Sequence, residues 1–598
     1  MVTLNPGVKA LPQHILSGNS PFIIGVSGHR DLDPADVASL HTAVSDFVRQ
    51  VKQWLGDTEL RIIVGMADGA DLLVAQAALD QGISVEAVLP MPLARYASDF
   101  EPEALAILTN LLKRPDVRCM ELSPPASAHA TYGSVDGPER DAMYDNLTLT
   151  LIRRSSILLA LWDGNPSRMP GGTADTVLRY LGLRTETDQD AVTLQFIEAA
   201  TDMDTADGLV YWVPAARLSS DLAANAGLPC FLRGSGDTVI EMQRAMPARL
   251  THQLSALNHY NREYQDLVKQ GRLGPRDSLM RALPPDAPLH DKLKLEDIDA
   301  QYGKADSLAV HFQARSDRLF TLFGIMAFTM GLAYLIYEKL TESRVLLVAY
   351  LIILLSSLGV YHTLRGKHWF AKHLTYRAIA ETMRVKFYLR LAGVDHRVDA
   401  NDVLALSGID RFKGFGWISY VMRTVEPADV HAMAPRAEEL ARLHFVEEAW
   451  IDNQHRYFTA KVASLGSSSG RVKRLRNALF VVILVVIVTL FLFGEALHHR
   501  EIGMGISLKN TLTFFMGFFA VLLGAWELHQ NNMATRELLW QYQNQLGHFS
   551  RARTQLGRMA SLARRDEVLV QLGKDSLMES YLWTIHRYHR EHEPPAST

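Results

Sequence analysis

Four stretches of the chain are apolar almost throughout and contain no Asp, Glu, Lys or Arg: Leu319 to Tyr337, Val345 to Leu364, Ala478 to Gly494 and Thr511 to Trp526. Helices of about 17 to 20 residues reach roughly 25 to 30 Å at 1.5 Å per residue, which is close to the thickness of a bilayer's hydrocarbon core. A buried strand is the alternative for the run FVVILVVIVTLFLF, but strands of that length are rare and the run does not alternate. We therefore predict four transmembrane helices.

The segments that flank these stretches predict their orientation. Short connectors, Glu338 to Ser343 and Glu495 to Asn510, join the stretches into two hairpins. Basic residues concentrate on the other side of the predicted membrane, at Arg315, Arg318, Arg365, Lys367, Lys372, Arg471, Lys473, Arg474 and Arg476. Because positive residues stay on the cytoplasmic side, we predict that both termini are cytosolic. The N-terminus has no apolar run that would suit a signal peptide.

The composition excludes several classes of protein. With 598 residues, 48% hydrophobic residues and a mean hydropathy of +0.00, the chain lies between a soluble enzyme and a transporter. A net charge of -4 does not suggest a nucleic-acid binder, and no such partner is expected. The two cysteines, Cys119 and Cys230, are too few for a disulfide framework or a cysteine-based zinc cluster.

Small residues recur at helical spacing in the first and last apolar stretches, at Gly324, Ala327, Gly331, Gly517, Ala520 and Gly524. Such a stripe lets two helices approach closely in lipid, although small residues are also common in membrane helices without this role. The absence of a charged residue within the stretches argues against a proton relay or a coupled transporter. A structural anchor and a hydrophobically gated pore both remain open.

Long polar helices are predicted beside the hairpins. The patterns LTYRAIAETMRVKFYLRL, AEELARLHFVEEAWIDNQHRYFTAKVASL and ATRELLWQYQNQLGHFSRARTQL are helical, and they predict a cytosolic stalk that continues the membrane helices. Their charges are interpreted as a solvated face. The order of hairpin followed by polar helix occurs twice, which indicates a faint internal repeat.

The N-terminal part alternates strands with helices. The runs FIIGVSG, LRIIVG, VEAVLP, SSILLALWDG and GLVYWVP read as strands, and DPADVASLHTAVSDFVRQVKQWL and GADLLVAQAAL read as helices between them. Fully apolar strands separated by helices predict a parallel sheet that is covered on both faces. The predicted fold is thus a Rossmann-like α/β domain followed by an all-α membrane domain with two hairpins and long cytosolic helices.

Three glycine-bearing loops follow predicted strands, where parallel sheets bind their ligands. They contain Ser27, Gly28, His29 and Arg30; Gly65, Met66, Ala67, Asp68, Gly69 and Asp71; and Gly171, Gly172 and Thr173. Glycines in such places let backbone N–H groups close on an anion at a helix N-terminus, which is phosphate-binding chemistry. Each loop taken alone is equally compatible with an ordinary turn.

The polar side chains near these loops have alternative roles. Asp68 and Asp71 either cap the following helix or accept ribose hydroxyls, since they would repel a phosphate. Arg140 and Tyr144 lie one helical turn apart and either clamp a phosphate and a base or form a surface pair. Asp163 and Gly164 end a strand and are expected to line the same crevice. His29 has no second ligand at a suitable spacing, so no metal site is predicted.

The motifs GVSGHRD, GMADGADLLVAQAAL, the RD-x-x-Y of Arg140 to Tyr144, and LLALWDG followed by PGGTAD together resemble the SLOG superfamily of Rossmann-like nucleotide-sensing or nucleotide-processing domains, over residues 21 to 215. The C-terminal half resembles SLATT-type membrane modules, through its hairpins and the run YRAIAETMRVKFYLRLAGV. The resemblance implies a bacterial antiphage or conflict effector in the inner membrane, in which a soluble sensor controls a membrane-damaging, homo-oligomeric unit.

Enzymatic relatives of this fold, the LOG-type phosphoribohydrolases, carry a PGGxGTxxE pattern whose Glu assists cleavage of an N-glycosidic bond. Here the loop is one residue shorter, and Thr176 lies where that Glu is expected. Asp175 or Asp68 is the possible substitute. We therefore favour nucleotide binding without catalysis, and no catalytic residue or separate cofactor is predicted.

The predicted ligand is a phosphate-bearing nucleotide, cyclic or NAD-derived, whose binding leads to membrane permeabilisation. A membrane-tethered nucleotide N-glycosidase and a non-enzymatic membrane scaffold are the alternatives. The predicted organisation is an N-terminal tail (1–20), a nucleotide-binding domain (21–245), a linker and pre-membrane helix (246–315), a first hairpin (316–365), a cytosolic helical region (366–475), a second hairpin (476–530) and C-terminal cytosolic helices (531–598).

Overall fold

The structure is a computed structural model that describes residues 19–124, 132–133, 136–167, 169–183, 194–203, 208–218, 227–274, 277–283, 292–409, 414–426, 436–503, 506–533, 535–559 and 561–588. The chain divides into two units. The first comprises Met1–Ala305, Ile379–Val446 and Leu569–Leu582, and the second comprises Asp306–Ala378, Glu447–Val568 and Trp583–Thr598. The first unit therefore combines the N-terminal region with helices that the sequence assigns to a separate stalk.

Within the described residues, a 9-stranded sheet forms the centre of the first unit. Its strands are β1 (Phe22–Gly28), β2 (Leu60–Val64), β3 (Ser84–Leu89), β4 (Val117–Glu121), β5 (Ile157–Trp162), β6 (Gln195–Glu198), β7 (Val210–Pro214), β8 (Cys230–Gly234) and β9 (Val239–Gln243). Their order is β4-β3-β2-β1-β5-β7-β8-β9-β6. The predicted α/β fold is confirmed, and the order reverses at β1, which lies between β2 and β5.

The prediction of an entirely parallel sheet is wrong at one strand. The strands from β4 to β7 in this order run parallel, but β8 pairs antiparallel with both β7 and β9. A tight turn joins β8 to β9, in which the Ser235 N–H donates to the Val239 carbonyl at 2.8 Å. So short a connection can join only antiparallel neighbours, because a parallel neighbour needs a long crossover.

The helices, in chain order, are α1 (Val37–Leu55), α2 (Ala70–Asp80), α3 (Leu93–Tyr96), α4 (Pro102–Leu112), α5 (Pro138–Arg154), α6 (Thr173–Tyr180), α7 (Ala248–Lys269), α8 (Lys292–Lys339), α9 (Arg344–Arg365), α10 (Trp369–Ala392), α11 (Ala400–Ser407), α12 (Ile418–Arg423), α13 (Arg436–Val446), α14 (Asn453–His498), α15 (Leu508–Met533), α16 (Thr535–Leu556) and α17 (Leu562–Tyr588). The central strands bury their side chains on both faces: every residue of β5 is buried, as is every residue of β1 before Gly28. This double burial explains why these strands read as continuous apolar runs.

The second half of α10 is buried in the first unit, so its charges do not form the predicted solvated face. Lys386 is fully buried and donates to a Glu426 carboxylate oxygen at 2.8 Å and to the Val398 carbonyl at 2.9 Å. Arg390 is paired with Asp395, and both side chains are buried. Buried charges are tolerated when they are paired and hydrogen-bonded, which is the arrangement here.

Among the described residues, 4 helices are long and apolar enough to cross a membrane: Lys294–Lys339, Arg344–Leu364, Ala441–His498 and Leu508–Gln530. Each contains one of the predicted apolar stretches. At most 6% of the most apolar window of each helix is buried within the chain, so their apolar side chains face outward. A two-stranded hairpin, β10 (Glu501–Gly503) with β11 (Ile506–Ser507), joins α14 to α15.

Two of the small residues predicted for helix packing lie at the contact between α8 and α15. A methyl group at Gly331 would lie 2.7 Å from Val521 Cγ1, and one at Gly517 would lie 2.6 Å from Leu335 Cδ1. A methyl group at Gly324 would make only ordinary contact, at 3.9 Å from His529 Cβ.

The remaining small residues contribute less to this contact. Ala327 is half-buried, whereas Ala520 and Gly524 are exposed, and a methyl group at Gly524 would meet nothing within 4 Å among the described residues. The predicted stripe on α15 therefore contacts α8 through Gly517 and not along its whole length.

Gly331→Leu is expected to destabilise the second unit by about 1–3 kcal/mol, because the added side chain overlaps Val521. Gly524→Leu is the matched control, since it adds the same side chain to an exposed position of the partner helix. Thermal unfolding in detergent should show a lower Tm for the first variant and an unchanged Tm for the second. Equal Tm values for the two variants would show that the contact between α8 and α15 does not stabilise the protein.

Candidate functional site

The candidate site lies where the strand order reverses. The chain leaves β1 towards β2 on one side, while β5 lies on the other side. Open α/β sheets bind ligands at such a switch point, beyond the C-terminal ends of the strands, and the space between the loops that follow β1 and β5 is called the crevice here. The predicted residues Ser27 to Arg30 follow β1, and Asp163 and Gly164 follow β5. The loop from Gly65 to Gly69 follows β2, so three predicted segments share one edge of the sheet.

The loops after β1 and β2 are packed backbone against backbone. The Ala70 N–H donates to the His29 carbonyl at 3.0 Å. A methyl group at Gly69, whose φ is 76°, would lie 2.2 Å from the Arg30 carbonyl oxygen, and one at Gly28 would lie 2.3 Å from Ala70 Cβ. Glycine is required at both positions because a side chain would separate the loops. This packing fixes Arg30 beside the start of α2.

Asp71, in the first turn of α2, has one carboxylate oxygen without a partner. Its Oδ2 accepts a hydrogen bond from the Ala67 N–H at 3.1 Å, whereas its buried Oδ1 has no hydrogen-bond partner among the described residues. Burial raises the pKa of Asp71 from 3.8 to about 7, although the Ala67 N–H and Arg30 act in the opposite direction. A buried carboxyl with a free oxygen and a near-neutral pKa is typical of functional sites.

The other residues of this loop hold its shape. Asp68 accepts a hydrogen bond from the Gly69 N–H at 2.7 Å, and the residue before the first helical position is Gly69. Asp68 therefore does not cap α2, which was one of the two roles considered for it. Gly65 packs on α5, because a methyl group there would lie 2.8 Å from Leu147 Cδ2. Met66 is buried with a φ of 58°, an unusual value for a residue with a side chain.

His29 and Asp163 connect β1 to β5. The Asp163 N–H donates to His29 Nε2 at 3.1 Å, and Asp163 Oδ1 lies 3.2 Å from the same nitrogen. Burial lowers the pKa of His29, against the opposing effect of Asp163, so the imidazole is neutral at pH 7. Gly164 has a φ of 83°, a value that favours glycine. Ser27, which lies two residues before His29 in the chain, is also buried.

Arg140 and Tyr144 share one face of α5, as predicted from their spacing, and both contact Asp99, a residue that was not predicted from the sequence. Arg140 Nη2 donates to Asp99 Oδ1, and the Tyr144 hydroxyl donates to Asp99 Oδ2. Arg30 completes the group, with its guanidinium 5.3 Å from the centre of the Tyr144 ring and Nη1 3.8 Å from Asp99 Oδ2. The loop after β1, the segment after α3, and α5 therefore meet at one carboxylate.

The loop after β5 does not present its glycine N–H groups to the crevice. The Gly171 N–H donates to Asp175 Oδ2 at 2.9 Å, and the Gly172 N–H donates to the Met169 carbonyl at 3.1 Å. The prediction that these two groups face an anion is therefore not met in this conformation. The next three N–H groups, those of Thr173, Ala174 and Asp175, belong to the first turn of α6 and have no acceptor within the helix, whereas the Thr176 N–H donates to the Gly172 carbonyl at 2.9 Å.

Asp175 and Thr176 have structural roles. The second oxygen of Asp175 accepts a hydrogen bond from Arg179 Nε at 2.9 Å, so both of its oxygens are occupied. Thr176 lies 3.0 Å from the buried Thr148 hydroxyl. Asp175 is thus a poor substitute for the missing catalytic Glu.

The charges at this edge are mixed. The carboxylates of Asp68, Asp71, Asp99 and Asp163 outnumber the guanidinium groups of Arg30 and Arg140. Among the described residues, no group of three or more His, Cys, Asp or Glu side chains is arranged to hold a metal ion. Searches of protein-family models and of curated proteins found no match to this chain. The function is therefore inferred from the chemistry of the site.

Proposed function

We propose that the N-terminal crevice binds a phosphate-bearing nucleotide or an NAD-derived signal, and that binding controls the apolar helices of the second unit. The observation that carries this proposal is the convergence of Arg30, Tyr144 and Asp71, whose Oδ1 has no partner among the described residues, at the reversal point of the sheet. Open α/β sheets bind nucleotides at that point. The proposed roles are an aromatic and guanidinium surface for a base or phosphate and a carboxyl for a sugar hydroxyl.

The four apolar helices are proposed to cross the bacterial cytoplasmic membrane, with both termini in the cytosol. Their outward apolar surface and the basic residues beyond one end of each hairpin support this arrangement. The proposed output is permeabilisation by a homo-oligomer, in keeping with the resemblance to SLOG sensors and SLATT-type effectors. A ligand that moves an equilibrium from 1:99 to 99:1 must bind the active state about 10⁴-fold more tightly, and oligomer formation can contribute to that difference.

The membrane assignment predicts how the protein behaves on extraction. The full chain should remain in the pellet after high-salt and alkaline carbonate washes and should dissolve only in detergent, because water cannot solvate the outward apolar side chains of these helices. Recovery of the intact chain in the carbonate supernatant would reject the assignment. A peripheral membrane protein, expressed and washed in parallel, serves as the control.

Nucleotide binding can be tested without knowing the ligand. The full chain in detergent is dialysed against a mixture of AMP, ADP, ATP, GTP, NAD⁺, ADP-ribose and cyclic dinucleotides, and retained compounds are identified by mass spectrometry. Arg30→Ala should reduce retention by about tenfold or more, or about 1.4 kcal/mol. The control is Arg49→Ala, whose side chain is exposed on α1 beside Asp46. Lack of any retention by the wild type would contradict the proposed function and favour the scaffold alternative.

Asp71 also supports a second candidate function, a membrane-tethered nucleotide N-glycosidase. An acid with a pKa of about 7 can both give and take a proton near neutral pH, as general acid–base catalysis requires. Incubation with the same mixture should then release free base, and Asp71→Asn should abolish that release. Intact nucleotides after prolonged incubation would leave binding alone as the function.

A further inference from the structure

Asp99 lies in an anion-binding arrangement formed by three elements. It ends a short helical turn, Ala97–Asp99, after α3. Arg140 and Tyr144 donate to its two different oxygens, and Arg30 approaches the oxygen that Tyr144 contacts. Its side chain is 14% exposed, so its carboxylate occupies the space between these donors. Two guanidinium groups and a phenol are the kinds of group that bind phosphoryl oxygens.

The three donors differ in their burial and in their other contacts within the protein. Arg140 is buried and also donates to the Gly133 carbonyl at 3.0 Å, so it has a structural role without Asp99. The Arg30 side chain is 44% exposed and lies 3.8 Å from the carboxylate, which is longer than a hydrogen bond. Burial and the hydrogen bond to Asp99 raise the pKa of Tyr144, against the effect of Arg30, so its hydroxyl remains a donor at neutral pH. Arg30 and Tyr144 are therefore the groups that an incoming anion can bind in place of Asp99.

We propose that Asp99 occupies the site of the ligand's phosphoryl group, which displaces the carboxylate from Arg30 and Tyr144 on binding. This inference rests on the proposed function and identifies the chemical group that the crevice recognises. A phosphoryl group carries more oxygens and more negative charge than a carboxylate, and it reaches Arg30 from the solvent side. While Asp99 is in place, it competes with anions and lowers their affinity. Its release frees the segment Ala97–Asp99, which precedes α4.

Calorimetry of the full chain in detergent with inorganic pyrophosphate tests this competition independently of any base or sugar. Asp99→Asn keeps the shape of the side chain and removes its charge, so pyrophosphate should bind at least about tenfold more tightly than to the wild type. Adding Arg30→Ala to this variant should remove the gain. Asp116→Asn is the matched control, because Asp116 pairs with the partly exposed Arg114 at 2.8 Å at the opposite end of the sheet, before β4.

A second measurement on the wild type does not depend on the folding of a variant. Hydrogen exchange of the segment Ala97–Asp99 should become faster when pyrophosphate is present at saturating concentration. Unchanged or weaker pyrophosphate binding by Asp99→Asn, a gain that survives the loss of Arg30, an equal gain in Asp116→Asn, or slower exchange of the segment would each overturn the proposal. None of these results depends on which nucleotide the wild type retains, so they are distinct from failure of the proposed function.

Discussion

Asp71→Asn is expected to raise the free energy of unfolding by about 4 kcal/mol at pH 8. The pKa of Asp71 is raised from 3.8 to about 7 in the folded protein, so ionisation of this buried carboxyl costs more there than in the unfolded chain. At 1.36 kcal/mol per pH unit, the difference between 3.8 and about 7 corresponds to about 4 kcal/mol. Asparagine has no charge to bury and can still accept the Ala67 N–H.

The difference in unfolding free energy between Asp71→Asn and the wild type should depend on pH. Because the folded state binds the proton more tightly, the wild type should lose stability as the pH rises from about 4 to 7 and reach a lower plateau above 7. The advantage of the variant should therefore shrink to less than about 1 kcal/mol at pH 4. Denaturant unfolding in detergent, followed by tryptophan fluorescence at pH 4 and pH 8, measures both values.

Asp68→Asn is the control for this experiment, because its carboxylate is less buried and already accepts the Gly69 N–H. It should give no comparable gain between pH 4 and pH 8. A substitution that stabilises the fold and weakens ligand binding is typical of a residue kept for function. If Asp71→Asn is less stable than the wild type at pH 8, the buried oxygen of Asp71 has a structural role. Asp71 would then no longer be evidence for a binding site.

Arg154→Met is expected to destabilise the protein by about 3–5 kcal/mol, because it leaves Glu86 as a buried charge without its partner. Arg154 Nη2 donates to Glu86 Oε2 at 3.0 Å, and Nη1 contacts the other oxygen, so the pair joins α5 to β3 inside the fold. Burial alone would raise the pKa of Glu86, but Arg154, with smaller contributions from Arg118 and Arg61, lowers it to about 2.

A lowered pKa in the folded state means that the contribution of this pair to stability is complete above pH 4.5 and is lost as the pH falls towards 2. Arg49→Ala removes an exposed ion pair with Asp46 and should change the free energy of unfolding by no more than about 0.5 kcal/mol. Denaturant unfolding at pH 7 compares the two variants. Equal midpoints would contradict the assigned role of the buried pair.

The strands that were predicted from the sequence are those in which apolar residues predominate. The strands β1, β2, β3, β5 and β7 lie in the inner part of the sheet, and their burial produces that pattern. The strand β4 was not predicted, because its residues are partly buried or exposed and include Arg118 and Glu121. The strands β6, β8 and β9 were not predicted either: only three residues of β8 are buried, and most residues of β6 and β9 are half-buried or exposed. Strands with so few buried residues leave too short an apolar run to find.

The sequence predicted correctly that the loops after β1, β2 and β5 lie at one edge of the sheet, but it did not predict their contacts. The spacing of Arg140 and Tyr144 indicates a shared face, but nothing near Asp99 in the sequence shows that it meets them, because the contact spans 41 and 45 residues. Glycine content likewise does not reveal whether an N–H group is free, and those of Gly171 and Gly172 are used inside the protein. The burial of Lys386 depends on Glu426, which lies 40 residues away. Tertiary contacts decide each of these cases.

Nucleotide-dependent dye release from liposomes tests the central claim most directly. The full chain is reconstituted with its N-terminal domain on the outside, as checked by protease accessibility, and the nucleotide mixture is then added. We expect rapid release from wild-type vesicles, little release from Arg30→Ala vesicles, and none without nucleotide. Complete retention of the dye by correctly oriented wild-type protein, at nucleotide concentrations that saturate binding, would contradict nucleotide-gated permeabilisation and leave the apolar helices as an anchor.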